Sequence, residues 1–105
     1  MATVIQGTQQ FQGAFKEMWA VTETVNFANA ATGSGTFASV DVAVPNVALG
    51  DIVIGVSMGV DTVDGVVQGA VTAANVVTLT LLNNSAGAID LASTTCKFIV
   101  GRPSW

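Results

Sequence analysis

Residues 50–84 carry the clearest pattern of apolar and polar positions in the chain. The segment reads GDIVIGVSMGVDTVDGVVQGAVTAANVVTLTLLNN, with alternating apolar runs separated by Gly, Asp and Asn. An apolar residue at every second position is typical of half-buried β-strands. The pattern therefore predicts three strands, at 52–58, 66–72 and 76–82. The first of them is expected to place on one face Ile52, Ile54, Val56 and Met58.

The second and third of these strands are predicted to form a hairpin with a defined register. They flank Ala73-Ala74-Asn75, and the last residue of a three-residue hairpin loop normally takes a left-handed conformation, which Asn tolerates. The pairs that follow are Thr72–Val76, Val71–Val77, Gly69–Leu79 and Val67–Leu81. This register gathers the large apolar side chains on one face, and Gly69 leaves room for the larger Leu79.

Further alternating runs lie on both sides, at 20–28, 36–44 and 95–100. Glu23 falls on the apolar face of the first run, so it is expected near the end or edge of a sheet, where an inward charge discourages wrong pairing. Cys96 is expected to be a small buried apolar residue. The whole pattern predicts an all-β fold over residues 21–100. We expect an antiparallel β-sandwich of about six to eight strands, with jelly-roll order as one arrangement.

The two ends are predicted to lie outside the sandwich, as an N-terminal arm over residues 1–20 and a C-terminal tail over residues 101–105. The large apolar residues of the arm suit either one face of a short helix or an extended segment with aromatic anchors. They cover the chain's own core or contact a neighbouring subunit, and Trp105 has the same two options. Because Trp and Arg are enriched at interface hot spots, the predicted interface residues are Phe11, Phe15, Met18, Trp19, Arg102 and Trp105.

Composition adds that part of the surface is not expected to face water. The chain has 105 residues, which suits one domain, and 10% of them are charged whereas 50% are hydrophobic. A typical domain has about 25% charged residues. The net charge is −4, and the basic residues Lys16, Lys97 and Arg102 are scattered, which argues against nucleic-acid binding. No uninterrupted apolar run approaches the ~20 residues of a membrane span. No signal peptide is predicted, and a single Cys permits no intrachain disulfide.

The residues available for chemistry are few. The chain has no His and no Tyr, which excludes His-dependent nucleophiles and zinc sites built from Cys and His. Asp61 and Asp64 are three residues apart with no bidentate acid downstream, so their loop is expected to be a tight turn and not a calcium site. The sequence predicts a protein that is not an enzyme and holds no cofactor.

Three segments within residues 37–100 resemble small structural proteins of tailed-bacteriophage virions: VAVPNVALGDIVIGVS, GAVTAANVVTLTLLNNSAGAIDLAS and TCKFIV. The resemblance implies a capsid decoration (cement) protein of the phage head, assembled in the host cytoplasm. Its partners would be the major capsid protein and further copies of itself, with a trimer favoured. The alternatives are a tail or head–tail adaptor protein, or a glycan-binding or adhesion module. Aromatic residues on exposed loops would favour the latter.

Overall fold

The computed structural model describes residues 3–7, 14–27, 36–63, 65–83 and 87–105. Within these residues there are seven β-strands and no helix, so the predicted all-β class and strand number are confirmed. The strands are β1 (Thr3–Gly7), β2 (Phe15–Val25), β3 (Thr36–Ala43), β4 (Ile52–Met58), β5 (Val66–Ala73), β6 (Val76–Asn83) and β7 (Thr94–Pro103).

The strands form two antiparallel sheets that pack as a sandwich. Sheet 1 has the order β1-β2-β7-β4 and sheet 2 has the order β3-β6-β5. The pairing of β2 with β7 encloses that of β3 with β6, which is the nested order of a jelly roll, although a full jelly roll has eight strands. Alternate residues of both sheets point inward and build one core. Its largest fully buried side chains include Trp19, Val21, Val25, Val42, Val77, Leu79, Leu81 and Val100.

The β5–β6 hairpin has the predicted register at three of the four pairs. Val71 pairs with Val77, and the pairs Gly69–Leu79 and Val67–Leu81 follow. Asn75 has the expected left-handed conformation, with φ of 65°. The predicted Thr72–Val76 pair is wrong, because a bulge between Val71 and Ala73 brings Ala73 opposite Val76. The connection between the two strands therefore has two residues, Ala74 and Asn75, and the extra residue Thr72 restores the predicted register beyond it.

The prediction that Ile52, Ile54, Val56 and Met58 share one face of β4 is also wrong. Ile52 and Ile54 point outward and are 39% and 40% exposed. A bulge interrupts the pairing with β7 between Ile54 and Val56, and Gly55 within it has φ of 60°. An extra residue reverses the side-chain alternation beyond it, so Val56 and Met58 point inward and pack against the core. Strict alternation across residues 52–58 assumed that no such residue was inserted.

The predicted arm and tail are largely parts of sheet 1. β1 pairs with β2, and β2 begins at Phe15 and pairs with β7 along almost its whole length. Strand geometry from Phe15 onward rules out the helical option for Phe15, Met18 and Trp19. Residues 101–103 complete β7, which leaves Ser104 and Trp105 beyond the last strand. Phe11 lies outside the described residues.

Two inward positions fit the sequence-based expectation. Cys96 has no exposed surface, and desolvation by burial raises the pKa of its thiol. Glu23 lies opposite Cys96, one position beyond the Thr3–Thr22 pair where the pairing with β1 ends. It is half-buried. The carboxylate is therefore near a sheet end as predicted, although β2 itself is not an edge strand.

The sandwich is closed on one side where β4 packs against β5. Gly69 makes this close approach possible. A Cβ atom at this position would lie 2.9 Å from Val53 Cγ1 and 3.1 Å from Leu79 Cδ2. The sequence predicts that glycine at position 69 leaves room for Leu79. The structure adds a second reason, because Val53 of the other sheet occupies the same space.

Candidate interaction surfaces

Asn75 ties the β5–β6 hairpin to the loop between β3 and β4. Its backbone N–H donates to the carbonyl oxygen of Val47 at 2.9 Å, and its own carbonyl accepts from the N–H of Val44 at 3.0 Å. Its side-chain Oδ1 accepts from the N–H of Asn46 at 2.8 Å. One residue thus satisfies three backbone groups of this loop.

Arg102 holds the same loop from the other sheet. Its guanidinium donates to both carboxylate oxygens of Asp51, at 3.0 and 2.8 Å, and to the carbonyl of Asn46 at 2.8 Å. It also lies 3.5 Å from a carboxylate oxygen of Glu17 and 5.1 Å from the centre of the Trp19 ring. Bidentate pairs of this kind fix geometry as well as supply energy.

The electrostatics of this pair follow from its contacts. Burial would raise the pKa of Asp51, but the hydrogen bonds from Arg102 and from the Ala48 N–H outweigh it and hold this pKa below its usual value. The hydrogen bond to Asp51 in turn raises the pKa of Arg102. The described contacts of Arg102 are all within the chain, and its predicted role at an interface stays a prediction.

Trp19 is not available for contacts with a partner. Its side chain has no exposed surface in the chain's own core, beneath Arg102. Its Nε1 is buried without a hydrogen-bond partner. The prediction of Trp19 as an interface anchor is therefore wrong for this fold, and the alternative that it covers the core holds.

The outer face of sheet 1 carries a group of apolar side chains, which we call the sheet 1 patch. The strand register places Ala20, Ile99 and Ile54 side by side across β2, β7 and β4, and it places Met18 and Ile52 on either side of Gly101. Ile99 is 39% exposed, much like the two isoleucines of β4. The sheet 1 patch therefore consists of Met18, Ala20, Ile52, Ile54 and Ile99.

Two of the predicted interface residues border the sheet 1 patch. Phe15 lies over Gly101, where a Cβ atom would come within 2.7 Å of the phenyl ring. The Phe15 ring in turn meets that of Trp105, with centroids 6.0 Å apart, and Trp105 is 77% exposed. The structure thus brings together Phe15, Met18 and Trp105 on one outer face, whereas Trp19 and Arg102 point inward.

The outer face of sheet 2 is apolar at one end and polar at the other. Phe37, Leu82 and Val66 form one row across its three strands and are 65%, 36% and 49% exposed. The next row contains Ser39, Thr80 and Gln68. At the polar end, Thr78 donates to Asp41 at 2.7 Å, which leaves its oxygen to accept from Thr72, also at 2.7 Å. These two hydrogen bonds hold the Asp41 carboxylate over β6.

Sequence reasoning missed both of these outer faces, although a signal for them exists. Strand residues point alternately to the two sides, so of two consecutive apolar residues only one can face the core. The pairs Leu81–Leu82 and Ile99–Val100 each place one member outside. The same reasoning applied to the apolar run from Ile52 to Ile54 would have indicated that side chains of both faces are apolar.

The loop between β4 and β5 forms a turn over the residues that the structure describes. Asp61 Oδ1 accepts from the N–H of Val63 at 2.9 Å, so Asp61 caps a tight turn as the sequence predicted. Asp64 lies outside the described residues. Across the ranges that the structure describes, no group of three or more His, Cys, Asp or Glu side chains converges where it could hold a metal ion.

Among the same residues, no helix is long and apolar enough to cross a membrane. Comparisons with protein-family models, with curated proteins and with solved structures found no match to this chain. The resemblance to phage structural proteins consequently rests on the quoted sequence segments alone.

Proposed function

We propose that this chain is a structural subunit of a larger protein assembly and performs no catalysis. The resemblance described above makes a capsid decoration protein of a tailed phage the most specific form of this proposal. In that role the chain binds the major capsid protein and further copies of itself on the phage head, and it stabilises the shell by covering apolar surface.

The sheet 1 patch is the observation that carries the proposal. An antiparallel sheet of an isolated sandwich usually presents polar residues to water on its outer face. Here three isoleucines are exposed on the outer face of sheet 1, with Lys97 as the charged neighbour in the next row, and the exposed Trp105 lies at the border. Each square ångström of this surface removed from water contributes about 25 cal/mol. A flat partner surface would therefore gain most of its binding energy from these side chains.

Replacing Ile99 with lysine tests the docking role of the sheet 1 patch. Ile99 lies in the centre of the patch, and a lysine there can extend into water in the free chain. We expect Ile99→Lys to weaken binding to capsids that lack the decoration protein by about tenfold or more. Thr95→Lys is the matched control, since it adds the same charge to the same face of β7 outside the patch.

Binding is measured by co-sedimentation with purified capsids, and shell stability is measured as the melting temperature of the capsid. The proposal expects the wild-type chain and Thr95→Lys to raise that temperature and Ile99→Lys to fail. Equal binding by both variants would remove the sheet 1 patch from the interface. A wild-type chain that does not bind capsids at all would contradict the decoration role. Immunogold labelling of intact virions separates a head protein from a tail or adaptor protein.

A glycan-binding module is the second candidate, and one observation favours it. Phe37 offers an exposed aromatic ring on the outer face of sheet 2, with Thr80 and Gln68 as hydrogen-bonding neighbours in the next row. The sequence-based criterion for this function was an aromatic residue on an exposed loop, whereas Phe37 lies on a strand. A glycan array would show binding by the wild-type chain and its loss in Phe37→Ala. No signal on the array would leave the structural role as the only candidate.

A further inference from the structure

We propose that the edge of β3, which no strand among the described residues covers, binds an extended segment of a partner polypeptide, which adds to sheet 2 as a further strand. The proposal deepens the assembly role above and rests on it in one respect, namely that the partner belongs to the same assembly.

The backbone of β3 presents an alternating set of hydrogen-bonding groups to this edge. The N–H of Val44 donates to the carbonyl of Asn75, in register with the pairing of β3 and β6. In an antiparallel pair, residues alternate between bonding the neighbouring strand and pointing away from it. The residues whose N–H and C=O groups point away from β6 are therefore Phe37, Ser39, Asp41 and Ala43.

The other sheet edges carry features that discourage pairing, and β3 does not. β4 and β5 each contain a bulge and pack against one another, and β1 has five residues. β3 runs for eight residues in unbroken register with β6, without Pro, Lys or Arg. Its single charge, on Asp41, is drawn over β6 by Thr78. Natural sheets usually protect an edge of this kind by one of the devices that β3 lacks.

The space beside β3 admits a single strand. β4 contacts β5, and if the two sheets are aligned from that side, the strand orders set β7 opposite β6 and β2 opposite β3. No described strand of sheet 2 then lies opposite β1. Val4 on β1 is accordingly half-buried, whereas Val21 on β2 is fully covered. A second sandwich that paired edge to edge with β3 would collide with β1, because its own sheet 1 would need the same volume. A single added strand would instead pack against the inner face of β1.

The chemistry of the partner follows from these surroundings. The segment is extended over about seven residues, a usual strand length. Its inward side chains are apolar, because they would lie against Val4 and Val40, and its outward side chains are polar or basic, beside Ser39 and Asp41. The chain's own residues 8–13 and 28–35 contain a single large apolar side chain, Phe11. The segment therefore belongs to a different polypeptide.

A designed peptide tests strand addition directly. The probe is a fluorescent peptide in which valine and threonine alternate over about seven positions between terminal lysines. Binding is followed by fluorescence anisotropy. Ser39→Pro removes an N–H that faces the open edge and none that bonds β6, so we expect folding to be retained and affinity to fall about tenfold or more. Ser39→Thr is the matched control and should bind like the wild type.

Two further measurements make the result decisive. A peptide whose amides on the side facing β3 are N-methylated lacks the donors for strand pairing and should not bind. This test uses the wild-type chain, so it does not depend on whether Ser39→Pro folds. Residue-resolved amide exchange should be fast at Phe37, Ser39, Asp41 and Ala43 in the free chain and slow when the peptide is bound. Slow exchange in the free chain, or equal binding of the N-methylated peptide, would overturn the proposal. If the chain binds capsids while these amides keep exchanging fast, strand addition fails and the decoration role stands.

Discussion

Single residues join separate parts of this chain by satisfying several polar groups at once. Asn75 adopts a conformation that costs most L-residues energy, and in return its backbone and side chain bond three groups of the β3–β4 loop. Arg102 does the same for the loop from sheet 1, through Asp51 and the Asn46 carbonyl. Both residues therefore stabilise the end of the sandwich at which the loop, the hairpin and β7 meet.

Asn75→Ala is expected to destabilise the fold by about 1–2 kcal/mol, because Ala lacks the side-chain acceptor and is strained at positive φ. Asn75→Gly should cost less, because Gly loses the acceptor but accepts the backbone conformation. Urea unfolding followed by circular dichroism measures both variants. Equal losses would mean that the conformation of residue 75 contributes little.

The Asp51–Arg102 pair predicts a dependence of stability on pH. The pKa of Asp51 is lower in the folded chain than in the unfolded chain. Its contribution is thus complete above about pH 4, the unfolded value, and is lost as the pH falls through the folded value. We expect Asp51→Asn to be less stable at neutral pH and to lose less further stability on acidification than the wild type.

The measurement is the free energy of unfolding in urea at a series of pH values between neutral and acid. Arg102→Gln serves as the second variant, because it removes the largest contribution that lowers the pKa of Asp51 while the Ala48 N–H remains, and it should flatten the acid side in part. A wild-type slope that both variants retain would show that other carboxylates cause the acid sensitivity.

At the scale of strands, departures from simple alternation decide which surface each element presents. The bulge at Gly55 turns Ile52 and Ile54 outward and so creates much of the sheet 1 patch. The bulge at Thr72 lets Ala73 pair with Val76 while Val71 still pairs with Val77. The close contact of β4 with β5 depends on the missing side chain of Gly69, where Val53 and Leu79 meet.

Gly69→Ala is therefore expected to destabilise the sandwich by about 1–3 kcal/mol, because the added methyl group would overlap the stiff side chain of Val53. Gly87→Ala is the control, since a Cβ atom there meets no atom within 4 Å and should change stability by less than about 0.5 kcal/mol. Thermal unfolding compares the two. If Gly69→Ala melts like the wild type, the two sheets have room to separate at this point.

The sequence alone predicted the elements whose rules are local. Most of the hairpin register follows from Asn75 and from the alternation around it, and the burial of Cys96 follows from the preference of free cysteine for buried positions. The inserted residue at Gly55 was missed because glycine in a strand fits a bulge and a plain position equally well. The sequence predicts an arm at the start of β2 because the partner of β2, β7, lies far away in the chain, and β1 pairs in turn with β2.

The candidate surfaces were less predictable for the same reason. Aromatic residues near the ends pointed to contacts, yet the sequence could not show that Trp19 is covered by Arg102 while Trp105 rests on Phe15. Those contacts depend on the pairing of β2 with β7. Which outer face a residue joins becomes clear only when the strand order is known.

At the scale of the whole molecule, the two sheets differ in width among the described residues, and this difference determines where apolar surface remains outside the core. The four strands of sheet 1 extend one strand beyond the three of sheet 2. The apolar surface left outside the core lies on the two outer faces and on the part of β1 that no described strand of sheet 2 covers. Each of these regions suits a different kind of contact, flat docking on the sheet 1 patch and strand addition beside β3.

The nested strand order also governs how this protein reaches its native state. The β5–β6 hairpin joins neighbours in sequence and can form early, but β7 lies between β2 and β4 and must arrive before sheet 1 can exist. Pairings between distant segments make folding slow, because a long loop must close before any contact compensates for the lost entropy. During synthesis, β2 and β4 therefore remain unpaired with β7 until residue 103 has left the ribosome. Over that interval the chain depends on its surroundings, and not on its own fold, to avoid aggregation.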